Sequence, residues 1–247
     1  TVPLPTPTSV LTTTPTPSPQ PVTMTNSERV QCLIDGIQAA REKVMQERMS
    51  GGGQPVISSK PRPTEGTDKC DVFSDPGQEP PRFITISHVD ISVLQQVSRF
   101  RSHAGHDYSD SYEECSSMKH YFYFNGGQSN PEYLIYSPVS GTVIAVMPDG
   151  IGPNSNAGYV VWISPDGHPQ YYVKIFHMEP VAELEAGSSV TAGEVIGNAI
   201  GSGETNDVAV HQYTVEGERY VSVFEAMSDE AFAPWQARGM TTRAATR

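Results

Sequence analysis

Two periodicities divide the chain. Between Thr25 and Ser50 apolar residues return every three or four positions, at Val30, Leu33, Ile34, Ile37, Val44 and Met45. That spacing lays one apolar stripe along a helix. Thr25 and Glu28 have the spacing of a capping box, and the glycines at 51 to 53 end the helix. The stripe predicts a helix over 25–50 that packs on the main domain or on a partner helix. After a proline-containing loop at 51–82, the pattern becomes one of β-branched strands. YLIYSPVSGTVIAVMPDG (133–150), GYVVWISPDG (158–167), YYVKIFHM (171–178) and VAVHQYTVEG (208–217) are short strands joined by turns such as Pro148-Asp149-Gly150 and Pro165-Asp166-Gly167. SDEAFAPWQARG reads as a short helix with Ser228 as N-cap and Gly239 as stop, with Pro234 inside it. The expected fold is mainly β: an antiparallel sheet or sandwich over 83–220, preceded by one helix and followed at 221–247 by a short helix and tail.

Composition narrows the function classes. The chain of 247 residues carries a formal charge of −12, so it repels phosphate backbones and excludes nucleic acid as a natural partner. No apolar run approaches the roughly 20 residues that span a bilayer. Residues 1–24 are rich in Thr, Pro and Ser and carry no charge. Proline favours extended polyproline II there, as in stalks of exported proteins. A start at Thr1 with no apolar leader fits either a mature, processed form or a trimmed chain. Three cysteines allow one bridge. Cys70–Cys115 is expected, because both lie near the main domain, with Cys32 a small buried apolar residue of the helix.

The candidate chemistry is concentrated in SHAGHDYSD, with His103, His106, Asp107 and Asp110. Imidazole and carboxylate donors hold a metal when they converge on a point about 2 Å away. Gly105 permits the tight path this needs. A solvated polar loop, or a hydrogen-bonded His106–Asp107 pair, accounts for the same residues. Two further histidines, His177 and His211, stand on strands. His211 and Tyr213 share a strand face, roughly 7 Å apart.

Taken in order, these segments resemble the LytM/lysostaphin-type zinc endopeptidases, the M23 family of peptidoglycan hydrolases. The run His103-Ala-Gly105-His106-Asp107-Tyr108 matches the family's H-x-G-x-D-[YF]. Gly141-Thr142-Val143 matches its strand pair, and Ile175-Phe176-His177-Met178 its Y-x-H-[LM]. The run from Gly187 through Val190, Gly193 and Ile196 to Gly197 matches its glycine turn. The resemblance covers about 100–215 and implies a duplicated-hybrid-motif sheet with zinc at the base of a groove. It implies His103 and Asp107 as zinc ligands and His177 and His211 as catalytic histidines acting on peptidoglycan peptides. The family's closing H-x-H reads His211-Gln212-Tyr213 here, which puts Tyr213 at the third ligand position. A phenol with pKa about 10 is a poor ligand, and catalytic zinc keeps three protein ligands plus water. His106 or His120 could stand in. The chain also resembles a set of exported bacterial proteins that share a GHDYSD…SMKHYF run.

These features favour a degenerate peptidase-like domain of an exported protein. It would act as a binding or structural module for a cell-surface ligand, lined by aromatics such as Tyr171, Tyr172 and Trp162. An active zinc endopeptidase is the alternative. A biotinyl or lipoyl carrier needs a lysine at a hairpin tip, and MPDG and SPDG have none.

Overall fold

In a computed structural model of the chain, the described residues are 24–49, 70, 78–110, 112–113, 116–125, 133–149, 157–200, 205–214 and 217–246. The elements run α1 (Asn26–Met49), β1 (Leu94–Val97), β2 (His120–Phe124), β3 (Leu134–Tyr136), β4 (Gly141–Pro148), β5 (Tyr159–Pro165), β6 (Tyr171–Pro180), β7 (Ser189–Val190), β8 (Val195–Ala199), β9 (Asn206–Thr214), β10 (Gly217–Val221) and α2 (Asp229–Ala237). Every strand pairing is antiparallel. The main path runs β1-β2-β9-β6-β5-β4-β7, with β10 on β9 and the β3–β8 pair joined to the far end of β6. The chain is thus mainly an antiparallel β-sheet with an N-terminal helix and a short C-terminal helix.

Both faces of this sheet are covered. Val173, Ile175, Val208 and Val210 point to the larger core, which α2 closes with Phe232 and Trp235. Ser228 caps α2 by accepting from the Ala231 amide, and Pro234 sits inside it. Pro234 is the sixth residue of α2, so the helix forgoes the bond that an amide there would give to the Glu230 carbonyl. The opposite face is covered in two parts. Val30, Leu33, Ile34 and Ile37 of α1 pack on Ile144, Tyr172 and Tyr213. Phe100 and Met118 pack on Val160, Phe176 and Ala209. Every residue of β9 is buried as a result.

The helix stripe therefore packs on the main domain through its first four members; the side chains of Val44 and Met45 lie outside the described residues. Thr25 and Glu28 form the capping box, with the Thr25 amide donating to Glu28 at 2.8 Å. Arg29, buried in α1, donates to Tyr172 Oη at 2.9 Å, Ser164 Oγ at 2.6 Å and the Pro169 carbonyl at 2.9 Å. The cysteine expectation is corrected: Cys70 is bonded to Cys32, not to Cys115. The helix presents Cys32 beside its buried stripe, and the bridge ties α1 to the loop that follows. Cys115 lies outside the described residues, as does the Thr/Pro-rich 1–23 stretch.

Candidate functional site

β9 alternates, so Asp207, Ala209, His211 and Tyr213 face the α1 side while Val208 and Val210 face the large core. A carboxylate and an imidazole on an apolar, covered face must be paired, because burying either alone is costly. The pairing of Asp207 builds the site. Its Oδ2 accepts from Lys119 Nζ at 2.7 Å and lies 3.2 Å from His177 Nε2. Its Oδ1 accepts from the Thr205 hydroxyl.

His177 reaches this point through a β-bulge. β6 and β5 pair Ile175 with Val161 and Met178 with Tyr159, so Phe176 and His177 together oppose Val160. His177 takes φ 57°, a left-handed value uncommon for a residue with a Cβ. Such strain persists where the surroundings enforce it. Here two carboxylates do so. His177 Nδ1 lies 3.1 Å from Asp149 Oδ2 and 3.2 Å from the Ala157 carbonyl. Both ring nitrogens therefore face oxygen acceptors, an arrangement that favours the imidazolium. Burial opposes the charged imidazolium, but the Asp207 hydrogen bond and charge, aided by Asp149, hold its pKa above the ordinary value. Burial pushes Asp207 up, and the His177 hydrogen bond and the Lys119 charge bring it below the ordinary carboxylate range. Burial leaves Asp149 raised, against the pull of His177.

Lys119, immediately before β2, is 2 % exposed. Its ammonium lies 5.0 Å from the Tyr108 and Tyr121 ring centres and 4.6 Å from that of Phe176. It also lies 3.3 Å from His106 Nε2. Because an ammonium only donates, His106 Nε2 accepts, and its protonated Nδ1 donates to the Asp107 carbonyl at 2.9 Å. Gly105 lets the loop close over this cage. It takes φ 70°, and a Cβ there would stand 2.3 Å from the Tyr121 ring. Asp110 pins the far side of the loop, accepting from the Tyr112 amide at 2.9 Å and, through its other oxygen, from the Tyr220 amide at 2.9 Å. The site is a chain of alternating charge: Asp149 negative, His177 positive, Asp207 negative, Lys119 positive.

The residues expected from sequence separate into three places. His103 and Asp107 are exposed on the loop, where Asp107 accepts from the Ser109 hydroxyl. His106 and His177 join the Lys119–Asp207 network. His211 and Tyr213 share a face as expected, with ring centres 6.5 Å apart. They stand further along β9, however. His211 is buried with Nδ1 against Glu218 Oε1 and its ring edge-on to Tyr220 at 4.1 Å. Tyr213 packs on Tyr172 at 5.0 Å, beneath α1. His120 is committed elsewhere too, with Nδ1 donating to the Ser98 carbonyl at 2.9 Å and Nε2 accepting from Ser222 at 2.8 Å. Tyr171 and Tyr172 are buried rather than lining a groove, and Trp162 is half-buried with Lys174 Nζ 3.7 Å from its ring centre.

Among the described residues, no three His, Cys, Asp or Glu side chains form a group that could hold a metal. The donor chemistry gives a reason. Asp207 and Asp149 engage the two ring nitrogens of His177, and the space beside Asp207 and His106 is filled by an ammonium. Among the described residues, the donors around Lys119 are engaged with one another rather than converging on an open metal position. Lys119, Asp207, Asp149 and Thr205 were missed by sequence reasoning. The available signal was a charged residue inside an apolar run, Lys119 in SMKHYF and Asp207 in NDVAV, since buried charges come with partners.

No protein-family model matches the chain, and no curated protein does. Solved structures similar to it are M23/LytM-type domains and their relatives. One is the SpoIIQ–SpoIIIAH pore forming complex, at 15% identity and TM-score 0.40, over 63% of this chain and 96% of that chain. Another is the catalytic domain of a mutant prophage-encoded M23 protein, EnpA, from Enterococcus faecalis, at 16% identity and TM-score 0.38, over 56% and 94%. A third is a zinc containing peptidase from Vibrio cholerae, at 15% identity and TM-score 0.34, over 62% and 40%.

Proposed function

We propose that this chain is a metal-free M23-like domain of an exported bacterial protein, acting as a binding or structural module rather than as a peptidase. One observation carries the reading: the ammonium of Lys119 sits among Asp207, His106 and three aromatic rings, where a catalytic cation would need open ligands. A second cation there would meet like charge at short range in a poorly screened interior. Asp207 and Asp149 engage both ring nitrogens of His177, which draws it away from a role as general base. His211 is shut beneath the covering layer. The Cys32–Cys70 bridge supports an oxidising compartment, since disulfides persist outside the reducing cytosol.

The test is elemental analysis of the purified full chain together with release of peptides from isolated peptidoglycan. The reading predicts substoichiometric zinc and no release above buffer. Stoichiometric zinc with peptide release would restore the endopeptidase alternative.

A further inference from the structure

An amine and a carboxyl group stand in contact inside this fold. Lys119 Nζ and Asp207 Oδ2 are 2.7 Å apart, with side chains 2 % and 0 % exposed. Burying two charges is costly even when they are paired, and joining them as a neutral amide removes both. The neighbours of the pair are placed for that reaction. His106 Nε2, 3.3 Å from Nζ, accepts on the amine side, and His106 is exposed to solvent. His177 Nε2, 3.2 Å from Oδ2, donates on the carboxyl side. The Thr205 hydroxyl donates to Oδ1, the oxygen on which negative charge develops when an amine adds to the carboxyl carbon. The rings of Tyr108, Tyr121 and Phe176, centred 4.6–5.0 Å from Nζ, keep bulk water from the pair. Two reactants held in contact need no bimolecular encounter.

We propose that Lys119 and Asp207 join in an intramolecular isopeptide bond between Nζ and Cγ, with the ion pair as its unreacted form. One ammonium proton passes to Oδ2, and a second to His106 Nε2 as Nζ attacks Cγ. The oxyanion forms on Oδ1, against Thr205. His177 Nε2 gives a proton to Oδ2, which leaves as water when the Cγ–Oδ2 bond breaks. The proton held by His106 returns to His177 through solvent. The balance is one N–C bond formed and one water released, and no oxidant or reductant takes part. The bond ties the residue before β2 to β9 across 88 positions of the sequence, and closing a long loop constrains the unfolded chain most. The amide fills the space that the ammonium fills, so zinc and hydrolysis measurements do not read it. This proposal and the metal-free reading therefore fail separately.

The full chain is held folded near neutral pH, its disulfide is then reduced, and its intact mass is measured. The expected chain is lighter than its sequence by one water. Its protease digest contains a branched peptide that joins Lys119 to Asp207. Lys119→Arg keeps the positive charge, but its guanidinium does not give up a proton to become a nucleophile, so that variant is expected at full mass. A wild-type chain at full sequence mass would overturn the proposal, whether or not the variant folds. So would a lost water without the branched peptide, since an aspartate that cyclises on its own backbone loses the same mass.

Discussion

Lys119 and Asp207 form a buried ion pair, Nζ to Oδ2 2.7 Å, with side chains 2 % and 0 % exposed. Removing one partner strands the other charge, which costs about 3–5 kcal/mol. Lys119→Met and Asp207→Asn are each expected to lower the unfolding free energy by that order. The paired variant should lose clearly less than the sum, because neither charge is then left alone. Urea denaturation measures all three, and strictly additive losses would contradict a coupled pair.

The helix, its capping box and the central strands were legible because each follows a local rule: the three-and-four stripe for α1, and β-branched runs for β4 to β6 with the Pro165-Asp166-Gly167 turn between β5 and β6. β1, β2 and β10 were not read as strands. HYFYF in β2 has no clean alternation because four of its five residues are buried, against neighbours on both sides. The site was half legible. The loop glycine and His177 were found, but the β-bulge that turns His177 toward Asp207 has no sequence signature. Spacing along β9 also favoured His211 and Tyr213, since nothing local says that α1 covers that end of the strand. The disulfide was mispaired for the same reason: proximity across 38 residues is set by helix docking, not by spacing.

Acid should weaken the fold through two other histidines. Burial drives His88 down to about 3 and His120 to about 4, against an ordinary value of about 6.5. Both are neutral when folded, so below about pH 6.5 the unfolded chain binds protons that the folded chain refuses. Their contribution is whole above about 6.5 and declines as pH falls toward 4 and 3, on the order of 5 kcal/mol for His88 and 3 kcal/mol for His120. His177 works in the opposite sense. Its raised folded pKa gives stability present below about 6.5 and lost as pH rises through that folded value. The melting temperature should fall steadily between pH 6.5 and 4, with a shallower slope in His88→Gln. A flat profile over that range would contradict the buried neutral state.

Reducing Cys32–Cys70 should loosen α1. Its 38-residue separation corresponds to about 4 kcal/mol of loop-closure entropy. Arg29→Ala removes three hydrogen bonds from the same contact. Either change should raise amide exchange across α1 before it affects β9. Exchange rising equally in both would mean that α1 and the sheet unfold together.

Gly105→Ala adds a Cβ with no room and an unfavourable φ. It should push the 102–108 loop off Tyr121 and destabilise the domain by about 2 kcal/mol. Thermal unfolding reads this directly, and an unchanged melting temperature would mean the loop does not close over Lys119.

The Lys119 side chain is the resident cation of this site. Calorimetric titration of the full chain with zinc at pH 7 tests that most directly. The expected result is no stoichiometric binding. One zinc bound per chain with micromolar or tighter affinity would contradict it.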